Sequence, residues 1–185
     1  MSYLHPANGE DTGVTEPKSI FEDAGSEPDT NTERVSCANE DVLESRAGFK
    51  PAKLSNGEIY TPVSYEAVNT PDGVNCVITY TDLDGKKSVV QKAEGDFMNI
   101  DKDVTAPVSE KLIGNSMVQF FSDDESCYAC FSVEKSNGSC YSYSIEFESG
   151  EMSELMTACT DIITKEQILQ YEKEMRAKGI MRFSI

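Results

Sequence analysis

The chain has 185 residues, of which 33 are acidic and 16 basic, so its formal net charge is −17 at pH 7. This length fits one domain with tails. The negative field repels nucleic-acid phosphates and anionic lipid surfaces, which excludes nucleic acid as the expected partner. Hydrophobic residues make up only 38% of the chain, and mean hydropathy is −0.42. These values predict that part of the chain is disordered.

The N-terminal segment is acidic and poor in large apolar residues. Its first forty residues hold nine acidic side chains against Lys18 and Arg34, and three prolines interrupt them. Such a stretch buries too little surface to offset the entropy lost on ordering. We therefore predict a disordered acidic linker over residues 1–35 and a single domain over residues 36–185. We expect neither a signal peptide nor a membrane-spanning segment within these residues, because they contain no apolar run long enough to span a bilayer.

Residues 37–47 have the composition of a short helix. Either Ser36 or Asn39 is placed to cap it, acidic residues follow in the first turn, and Gly48 is placed to end it. The side chains expected to face the interior are Val42, Leu43 and Ala47.

Short runs of alternating apolar and polar residues then predict β-strands. Turn-forming pairs such as Asp84-Gly85 and Asn137-Gly138 separate the runs. Pro62 restricts the first run to a sheet edge or to the start of a strand. The predicted strands cover residues 59–68, 74–80, 88–91, 112–113, 117–121, 127–134 and 140–148.

In the C-terminal segment, apolar residues recur at helical spacing from Met152 to Ile163. The sequence Thr164-x-x-Gln167 matches a capping box, which predicts that a second helix starts there and continues to about Lys178. The predicted fold class is therefore α+β. We expect an antiparallel meander sheet of about six or seven strands, with helices packed on one face and two helices at the C-terminal end.

Three stretches together resemble a known family. They are the entry Ala47-Gly48-Phe49-Lys50-Pro51-Ala52-Lys53-Leu54, the strand end Thr79-Tyr80-Thr81-Asp82 with Gly85, and Glu151-Met152-Ser153-Glu154-Leu155 after the tyrosine-rich strand. In this order they resemble the bacterial extracytoplasmic domain of unknown function 4367, over about residues 40–165. The chain departs from that family in carrying Cys130-Phe131 where such domains often have tryptophan, and in its many cysteines.

That resemblance implies an exported regulatory or binding module, found in lipoproteins and in membrane regulators of Gram-positive bacteria. It implies no catalytic residues. We accordingly expect the protein to be extracytoplasmic and anchored to the cell envelope. The only membrane contact we expect is a tether upstream of residue 1, because a linker before a compact domain is typical of a chain trimmed after an export or anchor segment.

The six cysteines allow two interpretations. An even number is compatible with disulfides in an oxidising compartment, whereas free cysteines are often buried small hydrophobic residues. Cys127 and Cys130 have the spacing of a redox motif but lie in a predicted strand. Residues three apart in a strand point to opposite faces, so we expect no reactive pair.

No residue pattern identifies a metal, a cofactor or a catalytic group. The only histidine is His5, in the predicted linker. Asp82-x-Asp84-Gly85 resembles the start of a calcium loop, but its twelfth position is Ala93 rather than the required glutamate, so a hairpin turn is the better interpretation. The acidic stretches at 101–103 and 122–126 are interpreted as solvated loops. The prediction is a protein that is not an enzyme and binds no cofactor.

Aromatic and methionine side chains near the last strands are candidates for an apolar ligand cavity, or simply for the core. They are Phe120, Phe131, Tyr141, Tyr143, Phe147, Met152 and Met156. The leading functional hypothesis is a non-enzymatic extracytoplasmic module that binds a protein or small ligand. The alternative is a cytoplasmic acidic adaptor or inhibitor that binds a basic surface of its partner.

Overall fold

The computed structural model describes residues 32–95 and 107–180, which all belong to one compact unit. These residues form eight strands and two helices. The strands are β1 Glu33–Cys37, β2 Thr61–Thr70, β3 Gly73–Thr81, β4 Lys87–Glu94, β5 Ser109–Ile113, β6 Ser116–Ser122, β7 Ser126–Glu134 and β8 Cys140–Glu148. The helices are α1 Glu40–Ala47 and α2 Met152–Ala177.

All eight strands form one antiparallel sheet in the order β1-β2-β3-β4-β8-β7-β6-β5. The α+β class and the antiparallel sheet are confirmed, but the predicted count of six or seven strands was too low. The sheet is also not one continuous meander. It consists of two four-stranded meanders, β1–β4 and β5–β8, which join where β4 pairs with β8. Turn signals specify each hairpin locally, and they carry no information about that long-range pairing.

The strand that the sequence did not predict is β1. It pairs with residues 65–69 of β2, from Glu33 opposite Asn69 to Cys37 opposite Tyr65. Backbone pairing satisfies its N–H and C=O groups whatever its polar side chains are. Residues 33–35, which we expected to be linker, are therefore strand. The rest of the predicted linker, residues 1–31, lies outside the described residues.

The first helix ends at Gly48 as predicted, but it begins at Glu40 rather than at residue 37, because the chain is still paired in β1 at Cys37. Of the three side chains expected to face inward, Leu43 is buried and Ala47 partly buried, whereas Val42 is 41% exposed.

Asn39 is the N-cap, and its side-chain oxygen accepts a hydrogen bond of 3.0 Å from the backbone N–H of Val42. Gly48 follows the helix with φ 79°, and its N–H donates to the carbonyl of Glu44 at 2.8 Å. A residue with a side chain rarely adopts this conformation, which is why glycine terminates the helix.

The C-terminal segment contains one continuous helix rather than the two that we predicted. Thr164-x-x-Gln167 lies inside α2, so its resemblance to a capping box was misleading. Buried side chains continue on both sides of that point, from Ile162 and Ile163 to Glu166 and Gln170. Because these residues share one face of a helix, a break at Thr164 would remove half of them from the sheet.

The main core cluster contains residues of the sheet and of both helices. Leu43 of α1 and Leu155 of α2 belong to the same cluster of buried side chains as most of the inward-facing strand residues. Strand register places Cys76, Lys92, Tyr143 and Phe131 in one row across β3, β4, β8 and β7. A lysine thus occupies the middle of an otherwise apolar row.

Candidate functional site

A buried ion pair joins that lysine to α2. The Lys92 ammonium donates to a carboxylate oxygen of Glu166 at 2.9 Å, and the two side chains are only 4% and 9% exposed. The amide of Gln170 donates to the other carboxylate oxygen at 2.7 Å and accepts from the backbone N–H of Ser136 at 3.2 Å. We call Lys92, Glu166, Gln170 and the adjacent Tyr143 the buried network. It connects the centre of the sheet, α2 and the turn between β7 and β8.

Aromatic rings surround the cation of the buried network. The Lys92 nitrogen lies 4.1 Å from the ring centroid of Tyr141 and 5.6 Å from those of Phe49 and Tyr143. Ring faces carry negative charge density, so they stabilise an ammonium group that has lost its water. The network therefore holds its charge without solvent, and it resembles a structural element more than a reactive site.

The pKa values of the pair follow from these surroundings. Burial lowers the pKa of Lys92 below its usual value, although Glu166 opposes the shift. Burial alone would raise the pKa of the Glu166 carboxyl, but Lys92, Gln170 and Tyr143 outweigh it and lower that pKa. Burial, followed by the Glu166 charge, raises the pKa of the Tyr143 phenol. The lowered pKa keeps the Glu166 carboxyl ionised at neutral pH, and this charge favours the protonated form of Lys92.

A groove of about 370 Å³ lies between residues 54–60 and α2. This volume lies within the range of small-molecule sites. Leu54, Ile59 and Tyr60 form one wall. The other wall is one face of α2, since its residues are spaced by three, four and seven positions. Those residues are Glu154, Thr157, Ala158 and Asp161.

Polar contacts hold the first wall in place. Ser55 donates a hydrogen bond to the carboxylate of Asp161 and accepts one from the ammonium of Lys165. The Lys165 Nζ and Asp161 Oδ2 atoms also form an ion pair at 3.1 Å. We call these three residues the clasp. It joins a segment without regular secondary structure to α2.

One end of the groove meets a second concavity of about 230 Å³, which we call the acidic hollow. Tyr60 and Glu154 line both the groove and the hollow. The stacked rings of Tyr60 and Phe147, 5.7 Å apart, lie at this junction. The carboxylates of the hollow belong to Asp82, Asp84, Glu148, Glu151 and Glu154, and its basic side chain is Lys86.

The seven side chains that we predicted as a possible cavity lie in or against the main core. The five aromatic residues are buried, and Met152 and Met156 pack against them. Phe131 and Tyr143, for example, stack with ring centroids 4.9 Å apart. Of the seven, Phe147 also lines the acidic hollow. The proposal that the full set lines a ligand cavity stays a prediction.

The cysteine motif behaves as its strand position predicts. Cys127 belongs to the main core cluster, whereas Cys130 belongs to a second cluster with Phe121 and Tyr128 on the opposite face. Burial raises the pKa of Cys130 to about 12, and it raises the pKa of Cys76 and Cys159 equally far. Such thiols are poor nucleophiles at neutral pH.

The acidic turns take part in local hydrogen bonding. Asp82 accepts the backbone N–H groups of Asp84 and Lys86, each at 2.9 Å, which confirms the hairpin-turn interpretation. Within residues 32–95 and 107–180, no group of three or more His, Cys, Asp and Glu side chains is arranged to hold a metal ion. The acidic stretch at 101–103 lies outside the described residues. Neither described helix is long and apolar enough to cross a membrane.

Sequence reasoning missed the buried network, the groove and the hollow. A signal for the network exists, because Lys92 follows Ser88 and Val90 at the inward positions of β4. Glu166 similarly follows Ile162 and Ile163 at helical spacing. The groove has no comparable signal, since its walls are far apart in the chain. Comparison of the chain with models of protein families, with curated proteins and with solved structures found no match.

Proposed function

We propose that the protein is a non-enzymatic module that binds a small ligand in the groove between residues 54–60 and α2. One observation carries this proposal: an apolar groove of ligand size, with its two walls joined by the clasp, ends in a charged hollow. Such a combination of apolar walls and a few placed polar groups is typical of small-molecule sites. In this proposal both helices cover one face of the sheet, and α2 supplies the groove wall.

We propose a non-enzymatic role because of the chemistry of the described side chains. The buried lysine is ion-paired and only 4% exposed. In the clasp, the Ser55 hydroxyl donates a hydrogen bond to Asp161 and accepts one from Lys165. Lys165 is thus a donor to Ser55 and not its base, so the clasp supports positioning rather than nucleophilic catalysis.

A direct test is an NMR titration of the ¹⁵N-labelled full chain with 4-phenylbutan-1-ol, a neutral apolar probe. We expect saturable shift changes at the amides of Tyr60, Thr157 and Ala158, which surround the groove. The variant Thr157→Trp, at an exposed position, should fill the groove and abolish them. Shift changes that are absent, or that occur only elsewhere, would overturn the proposal.

We further propose that the module works outside the cytoplasm, tethered through a segment upstream of residue 1. The family resemblance and the acidic N-terminal composition support this location. The test is the native coding sequence together with the mass of the mature protein. A cleaved signal or a lipid-modified cysteine is expected, whereas a cytosolic protein starting at Met1 would contradict the location without affecting the groove.

A second candidate function is the acidic adaptor, and one observation favours it. A shallow hollow of about 630 Å³ near the β6–β7 turn is lined by Lys87 and by five carboxylates. Those carboxylates are Asp123, Asp124, Glu125, Glu146 and Glu148. This candidate predicts salt-sensitive binding of a lysine-rich peptide, weakened by Asp124→Lys. If the peptide binds equally well to that variant, the candidate fails.

A further inference from the structure

The groove and the acidic hollow form one continuous surface with two different chemistries. The groove is lined mainly by apolar atoms of Leu54, Ile59 and Ala158, and the hollow mainly by carboxylates. From Glu154 to Asp161 the groove follows α2 for about 10 Å, at 1.5 Å per residue. A ligand that fills both parts must therefore have an apolar body and a polar end at the Tyr60 side.

The charge of the hollow decides the sign of that polar end. Asp82 already accepts the backbone N–H of Asp84 in its own turn, and Glu148 accepts that of Lys87 at the start of β4. Among the described residues, no ion pair joins Asp84 or Glu154 to a basic side chain. An anion placed there would be repelled, whereas a cation would reduce the mutual repulsion of the carboxylates.

Aromatic side chains at the junction favour the same sign. Tyr60 stacks on Phe147 with an interplanar angle of 17°, so the pair presents a fixed aromatic surface beside Glu154. Cations bind next to aromatic rings through the ring quadrupole, and an adjacent carboxylate adds to that attraction. Burial, followed by the charges of Glu154 and Asp82, raises the pKa of the Tyr60 phenol, as expected in a negative field.

We infer that the ligand is an organic cation, with its apolar part in the groove and its ammonium group in the acidic hollow between Glu154 and Tyr60. This inference rests on the proposed function and specifies the class of ligand. The clasp at the other end of the groove has its own ammonium group, Lys165, already paired with Asp161. The ligand therefore has one preferred orientation, cation toward Glu154.

The test compares three probes of the same length on the full chain: 4-phenylbutylamine, 4-phenylbutan-1-ol and 4-phenylbutyrate. Dissociation constants are measured from NMR shifts of the Tyr60, Thr157 and Ala158 amides at low salt. We expect the amine to bind roughly fivefold more tightly than the alcohol, the effect of one partly exposed charge pair. The carboxylate probe should bind most weakly, and added salt should weaken the amine alone.

A matched pair of variants locates the charge effect. Glu154→Gln removes one carboxylate at the junction and should bring the amine close to the affinity of the alcohol. Glu172→Gln removes a carboxylate elsewhere on the surface of the same helix. The carboxylate oxygen Oε2 of Glu172 lies 3.8 Å from the Nη2 of Arg176. We expect that control to leave all three dissociation constants unchanged. Both positions are on the surface of α2, so folding should be retained.

The outcomes separate this inference from the proposed function. The amine and the alcohol could bind the groove equally tightly, or Glu154→Gln could leave both dissociation constants unchanged. In either case the groove remains a binding site, and the inference that its ligand is a cation is wrong. If the amine perturbs only residues outside the groove, the inference is likewise overturned. If neither probe shifts the groove amides, the proposed function fails, and the inference fails with it.

Discussion

Two clusters on α2 each contain an ion pair, and they differ in their access to water. The buried network pairs Lys92 and Glu166, which are 4% and 9% exposed. The clasp pairs Lys165 and Asp161, which are 58% and 37% exposed. Similar ion-pair chemistry therefore has different consequences. Breaking a buried pair leaves a charge without water, whereas breaking an exposed pair returns both groups to solvent.

The largest expected effect comes from separating the buried pair. Lys92→Met leaves the Glu166 carboxylate buried without its counter-ion, and the free energy of unfolding should fall by about 3–5 kcal/mol. The double variant Lys92→Met/Glu166→Met should recover most of this loss, because no charge remains in the core. Urea unfolding at pH 7 measures both. If the double variant loses as much free energy of unfolding as Lys92→Met and Glu166→Met lose together, the two residues do not act as a pair.

The buried network should also determine part of the acid sensitivity. The pKa of Glu166 is lower in the folded state than its usual value of about 4.3, so the unfolded chain binds the proton first as pH falls. This contribution to stability is fully present above that usual value and is lost as pH falls through the folded pKa. Between pH 6 and pH 3, the free energy of unfolding should therefore fall more steeply for the wild type than for the double variant. Parallel pH profiles would contradict this assignment.

A smaller loss is expected at the edge of the buried network. Gln170→Ala removes a donor to Glu166 and an acceptor for Ser136, and it leaves buried polar atoms unsatisfied. The expected cost is about 1–3 kcal/mol in urea unfolding. Lys173→Ala, at an exposed position of the same helix, serves as the control and should cost much less. Equal effects of the two substitutions would remove Gln170 from the network.

The smallest effect is expected at the clasp. Lys165→Met exchanges an exposed ion pair for solvent contacts and should change the free energy of unfolding by less than about 1 kcal/mol. Moderate salt should reduce even that difference, since screening acts on exposed charges. A loss as large as that of Lys92→Met would show that the clasp is dry in solution and would remove the contrast between the two clusters.

Local features of the fold were predictable because a few neighbouring residues encode them. Gly48 ends α1 as expected, and Asn39 is the one of the two candidate caps that begins it. The β7–β8 hairpin turns at Asn137-Gly138, where Gly138 has φ 83°. The inward residues of β8, such as Ile145, follow a simple alternation. The failures were β1, whose polar residues are ordered by pairing, and α2, which continues through a sequence that resembles a helix start.

The candidate site was predictable only in part, because its members are distant in sequence. Phe147 was a candidate before the fold was known, but Tyr60 and Glu154 were not. Alternation in β4 places Lys92 inward, and helical spacing places Glu166 inward, yet neither pattern says that the two side chains meet. A buried charge is costly without a partner, so the pattern indicates that a partner exists without identifying it.

Strand and helix periods and turns are encoded by residues that are neighbours in the chain, and the negative charge is fixed by composition. The pairing of β4 with β8, the contact of Lys92 with Glu166 from 74 positions away, and the contact of Ser55 with Asp161 from 106 positions away arise only in the folded chain. They arise there because burial and charge compensation select among many compatible pairings of amphipathic surfaces. That selection acts on the whole fold, and the groove with its acidic hollow is one of its products.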